Sequence, residues 1–144
     1  MAHGQIEYYE DVELGHEIGP LEEDISDESV VDFCEVTGAT MPNRFTDAEI
    51  AQRVRLSGPI VPGIMSMAIM ARLLTDWSPK GVLKHFDVVF RQPVPHTSVS
   101  ISALVTDKRE ESGEYLVECD VYLSNEESGR MIGGRAIISL PSRG

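Results

Sequence analysis

Apolar residues change their spacing once along this chain, near residue 80. Before that point they recur at helical intervals. Val30, Val31, Phe33, Cys34 and Val36 follow Ser26 and Asp27, which offer cap side chains, and precede Gly38, a natural C′ residue. This spacing predicts an amphipathic helix over 27–37. Residues 39–45 have no period and contain Pro42, so a loop follows. Thr46 with Glu49 reads as a capping box opening a short helix to about Val54. The stretch from Gly58 to Leu74 starts with Gly and Pro breakers and then runs almost wholly apolar. It predicts a helix that begins at Pro62-Gly63, reaches Asp76-Trp77 and stops at Ser78-Pro79-Lys80-Gly81. A helix apolar all round is buried on every side.

After residue 80 the period becomes two. In 82–91, Val82, Phe86, Val88 and Phe90 share a face, with Lys84 the odd member. Alternation returns in 97–106, in 114–124 and in 130–140, with turns at Ser112-Gly113 and 125–129 and a break at 92–96. A further short strand fits 19–25. Strands joined by short turns predict an antiparallel meander. The architecture expected is α+β: one domain over 1–144, with an antiparallel sheet curved around a long central helix. One sheet covers only one side of such a helix, so a second copy of the sheet is expected to cover the other.

Composition narrows the partners. A net charge of −12, from 12 basic and 24 acidic residues, argues against nucleic acid or an anionic membrane surface. It also repels anionic ligands unless basic residues gather locally. Arg53 and Arg55 form the first basic cluster, and read either as charges meeting a helix C-terminus or as ligand contacts. Cys34 and Cys119 lie far apart in apolar patterns, which fits buried free thiols. Met1–Gln5 lacks the apolar core of a signal peptide, and the longest apolar run is too short to span a bilayer, so a cytoplasmic protein is expected. No role falls to His3.

Candidate chemistry is sparse. The amides of Gly63, Ile64 and Met65 would project from the positive end of the central helix, a place for a carbonyl or oxyanion or simply an ordinary helix start. His85 and Asp87 share a strand face as an exposed polar pair, His16 and His96 occupy turn-like segments expected to face solvent, and Asp76 ends a helix. No Ser-His-Asp order, phosphate loop, metal spacing or cofactor motif appears.

Several segments together resemble the MaoC-like, R-specific enoyl-thioester hydratase and dehydratase family. They are 8–15, Val31-Asp32-Phe33 through Thr37-Gly38, Gly58-Pro59-Ile60-Val61 followed by Gly63 and Met65, 71–77, and Phe90-Arg91-Gln92-Pro93-Val94. The resemblance implies the hot-dog fold, a dimer, and acyl thioesters of coenzyme A or acyl carrier protein as ligands. In that family the loop after the first helix reads roughly Gly-Asp-x-Asn-Pro-x-His-x-Asp, whose Asp and His activate water. Aligning on Gly38 and Pro42 places Ala39 at the Asp, Met41 at the Asn, Arg44 at the His and Thr46 at the last Asp, with Asp47 one place late. The family's frequent His-Gly at the helix start is Pro62-Gly63 here. Ala39 exchanges no proton, and Arg44 stays protonated at any usable pH. From the resemblance only the oxyanion-hole role carries over, to Gly63, whose amide would meet a thioester carbonyl; Ile64, Arg44 and Met41 are the other candidate substrate contacts, and Asp47 is a candidate for the missing base. Four readings remain open: a non-catalytic subunit paired with a sister that keeps Asp and His, an enzyme that uses the Gly63 amide and Arg44 for a different reaction, a hydratase whose acid and base come from elsewhere such as Asp47 or His85, or an acyl-binding or regulatory protein.

Overall fold

Short-range polar contacts set where the first two helices begin. In the computed structural model, which describes residues 4–144, helix α1 spans Asp27–Thr37. The Ser26 hydroxyl accepts a hydrogen bond from the Ser29 amide at 3.1 Å, and Gly38 closes the helix at φ 75°. His3 lies outside the described residues, as does most of the stretch read for a signal peptide. Helix α2 spans Ala48–Arg53 and starts one residue later than the capping-box reading. Asp47 is its cap, accepting from the Ile50 amide at 2.9 Å. Thr46 turns backward instead, its hydroxyl accepting from the Asn43 amide at 3.1 Å. Helix α3 spans Gly63–Trp77, with Pro62 as the cap residue just outside it.

Five antiparallel strands form one sheet: β1 (Glu17–Asp24), β2 (Val82–Phe90), β3 (Ser98–Glu111), β4 (Glu114–Asn125) and β5 (Gly129–Leu140). Their order is β1-β3-β4-β5-β2. The meander holds for β3 to β5. It fails for β2, which pairs with β5 on the far edge instead of with its sequence neighbour β3. Residues 92–97 are thus a crossing from one edge of the sheet toward the other. Strand β3 also runs past 106 to Glu111. The apolar alternation stops there, but Arg109 bridges Asp107 at 2.8 Å, Glu111 at 3.0 Å and Glu118 at 3.2 Å, so charge pairing continues the ladder that burial began.

A register shift between Leu83 and His85 reverses the inward face of β2. Leu83, Phe86 and Val88 pack on the core, while Val82 and Phe90 are exposed. The extra residue at a bulge moves every side chain on one side of it to the opposite face. Lys84 therefore marks a bulge.

Helix α3 crosses the sheet and buries Ser66, Ile69, Met70, Leu73, Leu74 and Trp77. These meet Ile101, Val121, Leu123, Ile132 and Ile138 in one core. Within a single chain the helix is not enclosed on every side. Ile64, Ala68 and Arg72 form an exposed stripe at helical spacing. Beyond it, the β2 edge exposes Val82, Val89 and Phe90.

Both cysteines are free and buried. Burial pushes the Cys119 thiol up to about 12, and the charges of Asp120 and Glu118 add to the shift. Only the thiolate attacks a disulfide reagent. Ellman's reagent should therefore release no thionitrobenzoate from the native protein within minutes, and two equivalents after denaturation. Rapid release from the native state would place a thiol at the surface.

Candidate functional site

Pro62 has no N–H, and nothing caps the start of α3 with a side chain. The Ser66 amide donates to the Pro62 carbonyl at 3.1 Å. The amides of Gly63, Ile64 and Met65 precede that first helical bond and have no backbone acceptor among the described residues. Three segments are tied together around them. The Ile60 amide donates to the Arg44 carbonyl at 3.4 Å, the Val61 amide donates to the Val94 carbonyl at 2.7 Å, and Ile60 bridges Pro95. Beyond the end of β2, the Arg91 and Gln92 amides both donate to the Met131 carbonyl, at 2.9 and 3.2 Å.

The result is an open cavity of about 310 Å³. Its polar contributors are Arg44, Arg91, Gln92 and Ser66, beside Gly63; Phe45, Ile60, Val61, Phe90, Pro93 and Val94 supply the apolar wall. The Phe90 ring lies directly on Gly63, where an added Cβ would sit 3.1 Å from Phe90 Cζ. Arg44 rests its guanidinium over the Phe45 ring, 4.3 Å from the centroid. Among the described residues, no carboxylate and no imidazole lines this cavity. In a chain with twice as many acids as bases, that absence concentrates positive potential at the helix start.

Seven of the 12 basic side chains meet a carboxylate, but neither Arg44 nor Arg91 does so among the described residues. Ser66 is wholly buried and its hydroxyl has no hydrogen-bond partner. The Trp77 indole nitrogen is the other buried, unpartnered side-chain atom, near the far end of α3, where the His16 ring meets the indole edge-on at 5.8 Å.

The residues singled out from sequence divide accordingly. Arg44 and Gly63 line one cavity. Ile64 points away from it and is exposed, while Ala39 and Met41 pack against the core. Asp47 is held as the α2 cap. His85 and Asp87 are exposed on β2. His96 departs from the solvent-facing expectation: its side chain is only 9% exposed, with Nδ1 2.6 Å from Asp27 Oδ1 and Nε2 3.3 Å from the Ile60 carbonyl oxygen. It thereby joins the start of α1 to the segment that leads into α3. Arg91 and Ser66 escape a sequence reading. The first is one basic residue at a strand end, and the second is one small polar residue inside an apolar run.

Two of the larger hollows differ in character. One, of about 740 Å³, is lined by Glu22, Glu126 and Glu127 with serines of β3 and β4. The other, of about 620 Å³, lies beside Trp77 and His16. Among the described residues, no three His, Cys, Asp or Glu side chains gather to hold a metal ion, and no helix is long and apolar enough to cross a membrane.

The model of the MaoC like domain matches residues 13–126. The chain belongs to this family. Several solved structures share its fold over nine tenths or more of its length. A monoamine oxidase regulatory protein from Archaeoglobus fulgius superposes with TM-score 0.82 at 20% identity, over 100% of this chain and 99% of that one. The (R)-hydratase from A. caviae involved in PHA biosynthesis gives 0.79 at 19%, over 90% and 98%. The ChsH1-ChsH2 complex from Mycobacterium tuberculosis gives 0.79 at 18%, over 90% and 98%. At these identities the likeness establishes the hot-dog fold. No curated protein matches in sequence.

Proposed function

We propose that this MaoC-like protein is the acyl-thioester-binding subunit of a hydratase or dehydratase assembly and has no proton-transfer pair of its own. One observation carries the proposal: among the described residues, the cavity beside the Gly63 amide contains no carboxylate and no imidazole. Hydration of an enoyl thioester needs a group that takes a proton from water and one that delivers a proton to the α-carbon. Arg44 is a permanent cation, Gln92 does not titrate, and Ser66 is a hydroxyl with no base beside it. The free amides remain suited to a thioester carbonyl, where developing negative charge would be stabilised. Each missing acid or base removes a factor of about 10²–10⁴.

A second hot-dog chain fits the surfaces left open. The Ile64 and Ala68 stripe of α3 and the apolar β2 edge are exposed. An unpaired strand edge readily accepts another strand. A sister subunit that keeps Asp and His would supply the proton transfers, and the ChsH1-ChsH2 complex is a two-chain assembly built on this fold. A second copy of this chain is the other occupant.

The test is hydration of crotonyl-CoA, followed by loss of absorbance at the conjugated thioester. The chain alone is expected to show no turnover above background. Co-expressed with a MaoC-like subunit that has Asp and His, it should co-purify as an active complex whose activity disappears when the sister's pair is removed. Turnover by the isolated chain at the rate of that complex would overturn the proposal.

A further inference from the structure

We propose that the cavity at the start of α3 recognises an anionic group on its ligand, a carboxylate carried by the acyl portion of the thioester. This deepens the thioester-binding reading and rests on it. Four independent features converge there. Arg44 and Arg91 both line the cavity, and neither has a carboxylate partner among the described residues. None of the chain's 24 acidic residues lines it. The unbonded amides of the first turn of α3 add the positive end of a 15-residue helix. Ser66, one of the residues that line this cavity, has a wholly buried hydroxyl without a partner among the described residues. A buried hydroxyl left unpaired costs free energy that an entering oxygen would recover.

An apolar acyl chain would explain none of these groups. It would leave two guanidinium ions beside hydrocarbon and Ser66 still unpaired. A carboxylate matches the planar fork of an arginine and has two oxygens, so one can face a guanidinium while the other accepts from a hydroxyl. A phosphate has the same chemistry, and the carrier has phosphates. Those lie a whole pantetheine arm from the sulfur, however. With the thioester carbonyl on Gly63, an anion in the same cavity belongs to the acyl side, a few bonds beyond that carbonyl. The Phe90 ring, half exposed, lies on Gly63 and forms one apolar wall of the site.

Calorimetric titration of the purified protein with four thioesters tests this. They are succinyl-CoA and butyryl-CoA, which differ in a terminal carboxylate, and the corresponding pantetheine thioesters, which lack the carrier's phosphates. The expected result is tenfold or more tighter binding of each succinyl ester than of its butyryl counterpart, in both the CoA and the pantetheine series. Arg91→Gln and Arg44→Gln should each bring the ratio toward one, while butyryl binding stays within a factor of about three. Ser66→Ala, which removes one oxygen from the core, should lower the ratio without lowering the melting temperature. Equal binding of succinyl and butyryl esters would overturn this inference and leave the thioester-binding reading standing. CoA esters that bind while neither pantetheine ester does would assign the anion to the carrier, which also overturns it. Failure of all four to bind would remove both.

Discussion

A Gly134→Ala variant is expected to melt roughly 10 °C below the parent chain, a loss of about 3 kcal/mol. Gly134 lies in β5 opposite Val88 of β2. A Cβ there would collide with the Asp87 carbonyl oxygen and sit 2.7 Å from Val88 Cα. Both are backbone atoms, which cannot rotate away as a side chain does. Only glycine lets two backbones approach so closely in a sheet interior. The damage would fall on β2, the edge strand that ends at Phe90 and delivers Arg91 to the cavity. Gly133→Ala is the control. Its Cβ would meet Tyr122 Cδ1 at 3.7 Å, an ordinary contact, and its stability should stay within about 1 kcal/mol of the parent. Thermal unfolding followed by circular dichroism reads both. Equal melting temperatures for the two variants would contradict the close β2–β5 approach.

Truncating a buried side chain of α3 should cost more. Leu74→Ala is expected to lose about 4 kcal/mol, because Leu74 is fully buried in the core between helix and sheet. The loss combines the transfer of the removed methyl groups with the cavity left behind, and the sheet cannot close over that cavity without breaking its own ladder. Ile64→Ala on the same helix removes a side chain that is 69% exposed, and should change chain stability by less than about 0.5 kcal/mol. Urea titration at unchanged slope separates the two. A loss below about 1 kcal/mol for Leu74→Ala would mean that α3 is not the centre of the core.

The elements of the fold were legible because their signals are local. Ser26 and Gly38 bound α1, Gly63 and Trp77 bound α3, and turns at Ser112-Gly113 and Asn125–Gly129 separate the strands. Non-local pairing was not legible. No feature of 82–91 announces that its partner is β5, 39 residues past the end of β2, or that a bulge at Lys84 reverses its face. The Thr46 cap failed for a similar reason, since the competing acceptor role toward Asn43 depends on the path of the loop. Of the site, the helix start and Arg44 were read from residue pattern and family resemblance. Arg91, Ser66 and the His96–Asp27 contact came only with three dimensions, since single polar residues carry no periodic signal. An empty set of acids and bases in a cavity is likewise invisible until its wall is known.

The edge placement of β2 bears on how this protein is made. The strand is synthesised directly after α3, yet its only partner within the chain, β5, begins 39 residues after β2 ends. At about 5–20 residues per second, a ribosome takes roughly 2–8 s to bridge that interval. During it Val88, Val89 and Phe90 are an unpaired apolar ribbon on a nascent chain. Closure of the sheet around α3 is therefore a late event dominated by distant contacts, the kind that folds slowly. A site that needs Gly63 and Arg91 from before that interval and the Met131 carbonyl that positions Arg91 from after it comes into being only once β5 has been made.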